Sequence, residues 1–315
     1  MAGFDLTAPG ISFSGGFTFT EAPLEAAWFG GGSGPLSTVQ RITFATDTAT
    51  ASERGPLSLG KEAMGAAGNT TDAWFGGGSG PVSTVDRITF ATDTNTASVR
   101  GPLSLARRFL AAAGNTTNGW FGGGLNDSLG NCSTVDRITY ATDTATASVR
   151  GPLSLARREF AAAGNTTDGW FGDGSNYPTV FSTVDRITYA TDTATASVRG
   201  PLSLARYGLA AAGNTTDAWF GSGYSGGSRS TVDRITYATD TATASVRGPL
   251  SLARQYLAAA GNTTDGWFGG GYVSPGGGSR STVDRITYAT DTATASVRGP
   301  LSLNSYYFAA ASGIQ

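Results

Sequence analysis

The sequence predicts an all-β chain folded as a six-bladed β-propeller with four-stranded blades, on three observations. The tripeptide Trp-Phe-Gly recurs six times, starting at Trp28, Trp74, Trp120, Trp170, Trp219 and Trp267, with spacings of 46, 46, 50, 49 and 48 residues. A period in the upper forties fits one four-stranded blade. No segment sustains the ~3.6-residue apolar period of a helix, while glycine makes up 46 of the 315 residues and punctuates the chain with turns. Finally, the inner-strand text missing before Trp28 reappears at the other end of the chain, as a closed ring requires.

Four strands can be read in each unit. In the third copy, strand one is Phe109–Ala113, followed by a turn over Gly114-Asn115-Thr116-Thr117-Asn118-Gly119. Strand two is Trp120-Phe121, ending in three glycines. Strand three is Ser133–Ala141, rich in β-branched and aromatic residues. A turn at Thr142-Asp143-Thr144 leads to strand four, Ala147–Arg150, which Gly151-Pro152 stops because proline has no N–H for a ladder. Short helical turns are expected only near the Leu-Ser-Leu-Ala-Arg segments. The alanine runs suit innermost strands crowded around one axis. In each Val-Asp-Arg, adjacent side chains project oppositely, so Asp136 and Arg137 are expected to pair with neighbouring strands or blades and not with each other.

Ring closure follows from counting. Tyr306-Tyr307-Phe308-Ala309-Ala310-Ala311 matches the inner-strand text, so the C-terminal segment is expected to complete blade one, with residues 25 to 54 giving its other three strands. Such closure removes an exposed sheet edge. Phe17 to Thr20 is a competing source for that strand. Residues 1–24 are read as an N-terminal arm, and 25–315 as the propeller. In the arm, two alternating runs flank Gly15-Gly16 as a hairpin, which places Ile11, Phe13, Phe17 and Phe19 on one apolar face. That hairpin either folds back on blade one or anchors the chain to another protein.

Composition narrows the function. The net charge is -2, with Lys61 the only lysine, which argues against a nucleic-acid partner. The single Cys132 excludes an intrachain disulfide. The chain has neither an apolar run long enough to span a bilayer nor a signal-peptide pattern at its start. It is therefore expected to be made in a cytoplasm without insertion into a membrane. It has no histidine, so the usual base of nucleophilic catalysis and the usual zinc ligand are both lacking. The aspartates stand at repeated positions, as structural residues would. Asp127, Asp173 and Glu159 are the only acids that would serve an enzyme on the variable side. Calcium is the one conceivable metal, but one carboxylate per turn is thin for an ion taking six to eight oxygens. The expectation is no enzyme, no cofactor and no metal.

The order of inner strand, aromatic pair, Gly-Gly, variable loop and following strand resembles the kelch repeat. Its parts here are Ala111–Ala113, Trp120-Phe121, Gly122-Gly123, residues 125–132 and Val135–Ala141. The fourth strand departs from it, reading TATASVRGPL where kelch units place a tryptophan. The wording STVDRITYATDTATASVRGPLSLAR with GNTTDGWFGGG is similar to repeat proteins encoded by marine tailed bacteriophages, notably those of cyanobacteria. That resemblance implies a virion-associated protein on the tail, baseplate or capsid surface.

The six copies differ where a partner would be met. The turns between strands one and two, and between three and four, are nearly constant. The loops between strands two and three are not (residues 33–36, 79–82, 125–132, 175–181, 224–229 and 272–280), and neither are the segments leading into strand one. In an up-and-down blade these two classes share one face. That face carries Tyr177, Tyr207, Tyr224, Tyr256, Tyr272, Tyr306 and Tyr307, with Arg108, Arg158, Arg229 and Arg280. Tyrosine and arginine are typical of recognition surfaces, and loops on a rigid scaffold commonly carry binding. The expected function is a non-enzymatic structural or interaction protein, whose partner is another virion protein or a host surface protein or glycan. A carbohydrate-binding propeller is the alternative.

Overall fold

A computed structural model describes residues 25–313. Six four-stranded antiparallel sheets stand around one axis, each running inner to outer in chain order except the first. In the third blade the strands are Ala111–Gly114, Asn118–Gly122, Val135–Thr139 and Ser148–Arg150. Blade one takes Ala26–Gly31, Val39–Thr43 and Ser52–Arg54 from one end of the described chain and Phe308–Ser312 from the other, with Trp28 opposite Ala311. The C-terminal strand therefore closes the ring; the competing segment, Phe17 to Thr20, lies outside the described residues. The expected hairpin, with Ile11, Phe13, Phe17 and Phe19, lies outside the described residues.

Three local expectations are corrected. Strand three ends at Thr139, and Tyr140–Thr142 forms a 3-10 turn. The Leu-Ser-Leu-Ala-Arg segments are bends, so the short helical turns sit elsewhere in the unit. The 3-10 turn bends the tyrosine out of the ladder and against the preceding blade. Strand one begins at Ala111, because Phe109 has φ +58, a left-handed conformation that cannot continue a ladder.

The blades are joined by one device used six times. Trp74 is 1% exposed and stacks on Tyr140 of the next blade, ring centroids 3.8 Å apart. Its indole Nε1 donates to Asp143 Oδ2 at 2.9 Å. The same oxygen meets Arg87 Nη1 at 3.1 Å and Arg100 Nε at 3.5 Å, both from the tryptophan's blade. Every interface repeats this, including the closing one, where Trp267, Arg285 and Arg298 converge on Asp47 while Trp267 stacks on Phe44. A buried indole N–H needs an acceptor, and stacking adds about 0.5–1.5 kcal/mol beyond burial. The backbone joins in: Gly101 N–H donates to the Asp143 carbonyl at 2.8 Å, and any Cβ at Gly101 would collide with the Ala145 carbonyl. Glycine is required there by close approach.

Inside five blades lies a second ion pair whose side chains have no exposure. These are Lys61–Asp86 (2.8 Å), Arg107–Asp136 (2.6 Å), Arg157–Asp185 (3.0 Å), Arg206–Asp233 (2.9 Å) and Arg254–Asp284 (2.9 Å). Asp136 and Arg137 thus serve different partners, Arg107 within the blade and Asp192 in the next. In blade one both charges are replaced together. Gln40 takes the aspartate's place and accepts from Ser302 N and Oγ at 2.5 and 2.9 Å, while Ser305 takes the cation's place. Either charge alone would be buried without its partner.

Asp143→Ala strands the Trp74 N–H and two guanidinium groups, and is expected to cost about 3 kcal/mol in denaturant unfolding. A loss under ~0.5 kcal/mol would show that the clasp is incidental. Gln40→Asp and Ser305→Arg are each expected to destabilise by roughly 3 kcal/mol. Together they should recover most of that loss in a double-mutant cycle, and strictly additive losses would refute the matched replacement.

Candidate functional site

The variable face gathers around the axis through the segments that lead into the inner strands. Six equivalent residues meet there: Ala63, Phe109, Glu159, Gly208, Tyr256 and Tyr307, with φ between +58 and +68. Each donates its N–H to the carbonyl of its counterpart in the preceding blade. Phe109 bonds Ala63 at 2.7 Å, Glu159 bonds Phe109 at 3.0 Å and Gly208 bonds Glu159 at 2.7 Å. Tyr256 bonds Gly208 at 2.6 Å, Tyr307 bonds Tyr256 at 2.9 Å and Ala63 bonds Tyr307 at 2.9 Å. The cycle is closed and made wholly of backbone. Five of its members are not glycine, and a left-handed conformation costs such residues about 1 kcal/mol or more each. Strain of this kind, held by surrounding structure, concentrates at functional sites.

The side chains of the cycle surround a depression of about 60 Å3 floored by Met64, Phe160, Leu209, Leu257 and Phe308. On the opposite face the axis opens as an alanine-lined channel of about 110 Å3, rimmed by the constant Asn-Thr turns. The tyrosines form one contiguous cluster on the variable side. Tyr307 lies 4.4 Å from Tyr256, 4.6 Å from Tyr306 and 5.2 Å from Phe109. Tyr256 continues to Tyr207 at 6.2 Å and thence to Tyr224 at 5.3 Å, while Tyr306 continues to Tyr272 at 5.4 Å. A Cβ at Gly208 would fall 2.7 Å from the Tyr256 ring, so the glycine lets that ring lean across toward Glu159.

Glu159 is the one acid of the cycle. Its Oε2 accepts from Ser175 Oγ at 3.0 Å and lies 3.7 Å from Arg158 Nε, and its Oε1 takes only the Tyr256 hydroxyl at 3.5 Å. Burial pushes the Glu159 carboxyl above its ordinary value, partly offset by Arg158. Burial and the nearby Glu159 charge also hold the Tyr207, Tyr256 and Tyr307 phenols above theirs, so they stay protonated at neutral pH.

Of the residues expected on this face, the structure brings together Tyr207, Tyr224, Tyr256, Tyr272, Tyr306 and Tyr307. Arg158 joins through Glu159, and Arg108 lies 5.8 Å from the Phe109 ring while paired with Asp127 at 2.9 Å. Three do not join. Tyr177 stands alone on its hairpin, 82% exposed; Arg229 turns back to the Ser225 carbonyl; and Arg280 donates to the carbonyl of Ser279. Phe109 joins the cluster without having been expected in it, and Glu159, expected on this side only as a candidate acid, stands within it. Aligning the six lead-in segments on their alanine runs places both at the Tyr256 and Tyr307 position. Asp173, expected on the variable side, is fully buried beside Arg206 at 3.5 Å, with neither carboxylate oxygen accepting a hydrogen bond. It occupies, at φ +64, a position that is glycine in four copies (Gly31, Gly77, Gly123 and Gly270).

The repeated turn aspartates are engaged by protein. Asp47, Asp93, Asp143, Asp192, Asp240 and Asp291 hold the interblade clasps. Asp72, Asp168, Asp217 and Asp265 accept from threonines of strand three. No group of three potential metal ligands occurs among the described residues, and no helix among them is long and apolar enough to cross a membrane.

No protein-family description and no curated protein matches the chain. Among solved structures it is similar to one described as "Structure of YjhT", at 12% identity and a TM-score of 0.67, over 81% of this chain and 88% of that one. That likeness supports the six-bladed β-propeller fold.

Burial holds the Asp173 carboxyl well above its ordinary value, against the pull of Arg206. The fold therefore favours its protonated form. The ionised form costs stability above the folded-state pKa, and that cost vanishes below the ordinary aspartate range. Asp173→Gly is expected to stabilise at neutral pH by about 1 kcal/mol or more, with the gain fading as pH falls. A variant less stable at neutral pH would show that Arg206 requires both carboxylates.

Proposed function

We propose that this protein is a non-enzymatic interaction module of kelch-like type, carried on a bacteriophage particle, that presents its variable face to a partner. The observation behind this reading is where the copies differ. The clasps, inner ion pairs and constant turns repeat from blade to blade, while the differences collect on one face with a tyrosine cluster at its centre. Residues that vary around a fixed frame fit recognition better than architecture. Tyrosines supply large contact area with a polar tip. The non-enzymatic reading rests on the dispersal of the acids: Asp127 pairs with Arg108, Asp173 is buried beside Arg206, and Glu159 stands alone on the axis. The virion assignment rests on the wording of the repeat.

Carbohydrate binding is the second reading. It is favoured by half-exposed tyrosine rings next to the hydrogen-bonding Glu159, Ser175 and Arg158. Six like sugar sites are disfavoured, because equivalent loops carry unlike residues.

Mass spectrometry and immuno-labelled electron microscopy of purified particles test the first reading. The chain is expected at a defined tail, baseplate or capsid position. Its absence from particles would overturn the virion assignment, and binding on a glycan array would then favour the second reading.

A further inference from the structure

The depression on the axis of the variable face has a definite chemistry. Phe109, Tyr256 and Tyr307 are aromatic, Ala63 is small, Gly208 makes room for the Tyr256 ring, and Glu159 supplies the single charge of the cycle. The two carboxylate oxygens of Glu159 are in different situations. Oε2 is taken by Ser175 and approached by Arg158, whereas Oε1 has only the long 3.5 Å contact from the Tyr256 hydroxyl. An incoming donor therefore has one open acceptor, in a depression lined by aromatic side chains.

Size and charge narrow what fits. About 60 Å3 is well under half of the roughly 150 Å3 cavity that admits benzene, so the depression suits the end of a chain better than a whole ring. Aromatic faces attract cations, most strongly where water is excluded. Charged hydrogen bonds to carboxylate are among the strong ones. The other charges near the axis do not fill the role. Arg108 is committed to Asp127, Arg158 lies on the Oε2 side, and Glu62 is held by Gly34 N and Ser79 Oγ at 3.2 Å.

We propose that this depression is a binding site for a primary ammonium group, the tip of a lysine side chain projected by the partner, with Glu159 as its counter-ion. This deepens the interaction-module reading and rests on it. It is independent of whether the protein rides on a particle.

The test uses the full chain with isotope-labelled tyrosine and phenylalanine, titrated with Nα-acetyl-lysine N-methylamide and followed by NMR. The norleucine counterpart, of similar shape but uncharged, and a methyl glycoside are titrated in parallel. Saturable shifts are expected at Phe109, Tyr256 and Tyr307 with the lysine compound alone. Glu159→Gln keeps the shape and is expected to weaken binding roughly tenfold or more. Tyr256→Leu is expected to weaken it less, with circular dichroism confirming the fold of both variants. Equal binding of the norleucine compound, unchanged affinity in Glu159→Gln, or no saturable shift with lysine would overturn the site. Shifts at the same residues with the glycoside alone would assign the depression to carbohydrate instead. Failure to find the chain on particles would leave these outcomes untouched, so the two readings fail separately.

Discussion

The hydrogen bond from each buried tryptophan to the aspartate of the following blade is the contact on which the rest of the structure depends. A four-stranded sheet of this size cannot bury its own faces, so every blade needs two neighbours. The clasp supplies that contact with direction. The stacked ring fixes the distance between blades, and the indole N–H fixes the angle. Two guanidinium groups from the same blade hold the acceptor in place. Because the sixth clasp joins Trp267 to Asp47, no interface is left for water to open first.

The same arrangement explains why variation is permitted where it is found. The clasp uses the turns between strands three and four, so those turns are fixed. The segments meeting on the axis are held by main-chain groups instead, each N–H to the carbonyl of the blade before. Such bonds constrain conformation and leave the side chain free. Alanine, phenylalanine, glutamate, glycine and tyrosine therefore occupy equivalent places without loss of the cycle. A frame bonded by main chain that carries interchangeable side chains is a general solution for recognition.

Much of this was legible in the sequence, for identifiable reasons. The strand order and the closing strand followed from repetition, since Phe308–Ser312 carries text that the first unit lacks. The divided duties of Asp136 and Arg137 followed from the two-residue period of a strand. Other features had no such signal. A left-handed φ at Phe109, Glu159, Tyr256 and Tyr307 is not written in residue type, because only glycine advertises it. The convergence of the tyrosines depends on that conformation, so Tyr177 could not be told from Tyr256. Asp173 reads as a loop acid, and only the packing of Arg206 against it reveals that it is interior. The Tyr-Ala-Thr turn reads as strand until the tryptophan of the previous blade is seen to need its ring.

The uncharged residues that replace the inner ion pair, Gln40 and Ser305, bear on how the ring is completed during synthesis. Blade one is the only blade assembled from distant parts of the chain, and its innermost strand emerges from the ribosome after all the others. In the other five blades the inner cation and its aspartate lie within one unit, so they can meet while that blade is still loose and wet. At the junction a charge would have to shed its water while the last strand was being admitted to an almost finished ring, the costliest moment for it. There Gln40 accepts from the Ser302 N–H and hydroxyl and Ser305 brings no charge, so that barrier is absent. The final strand can therefore enter as a neutral latch, and the newly made chain spends less time as an open arc with an unpaired edge exposed to its neighbours.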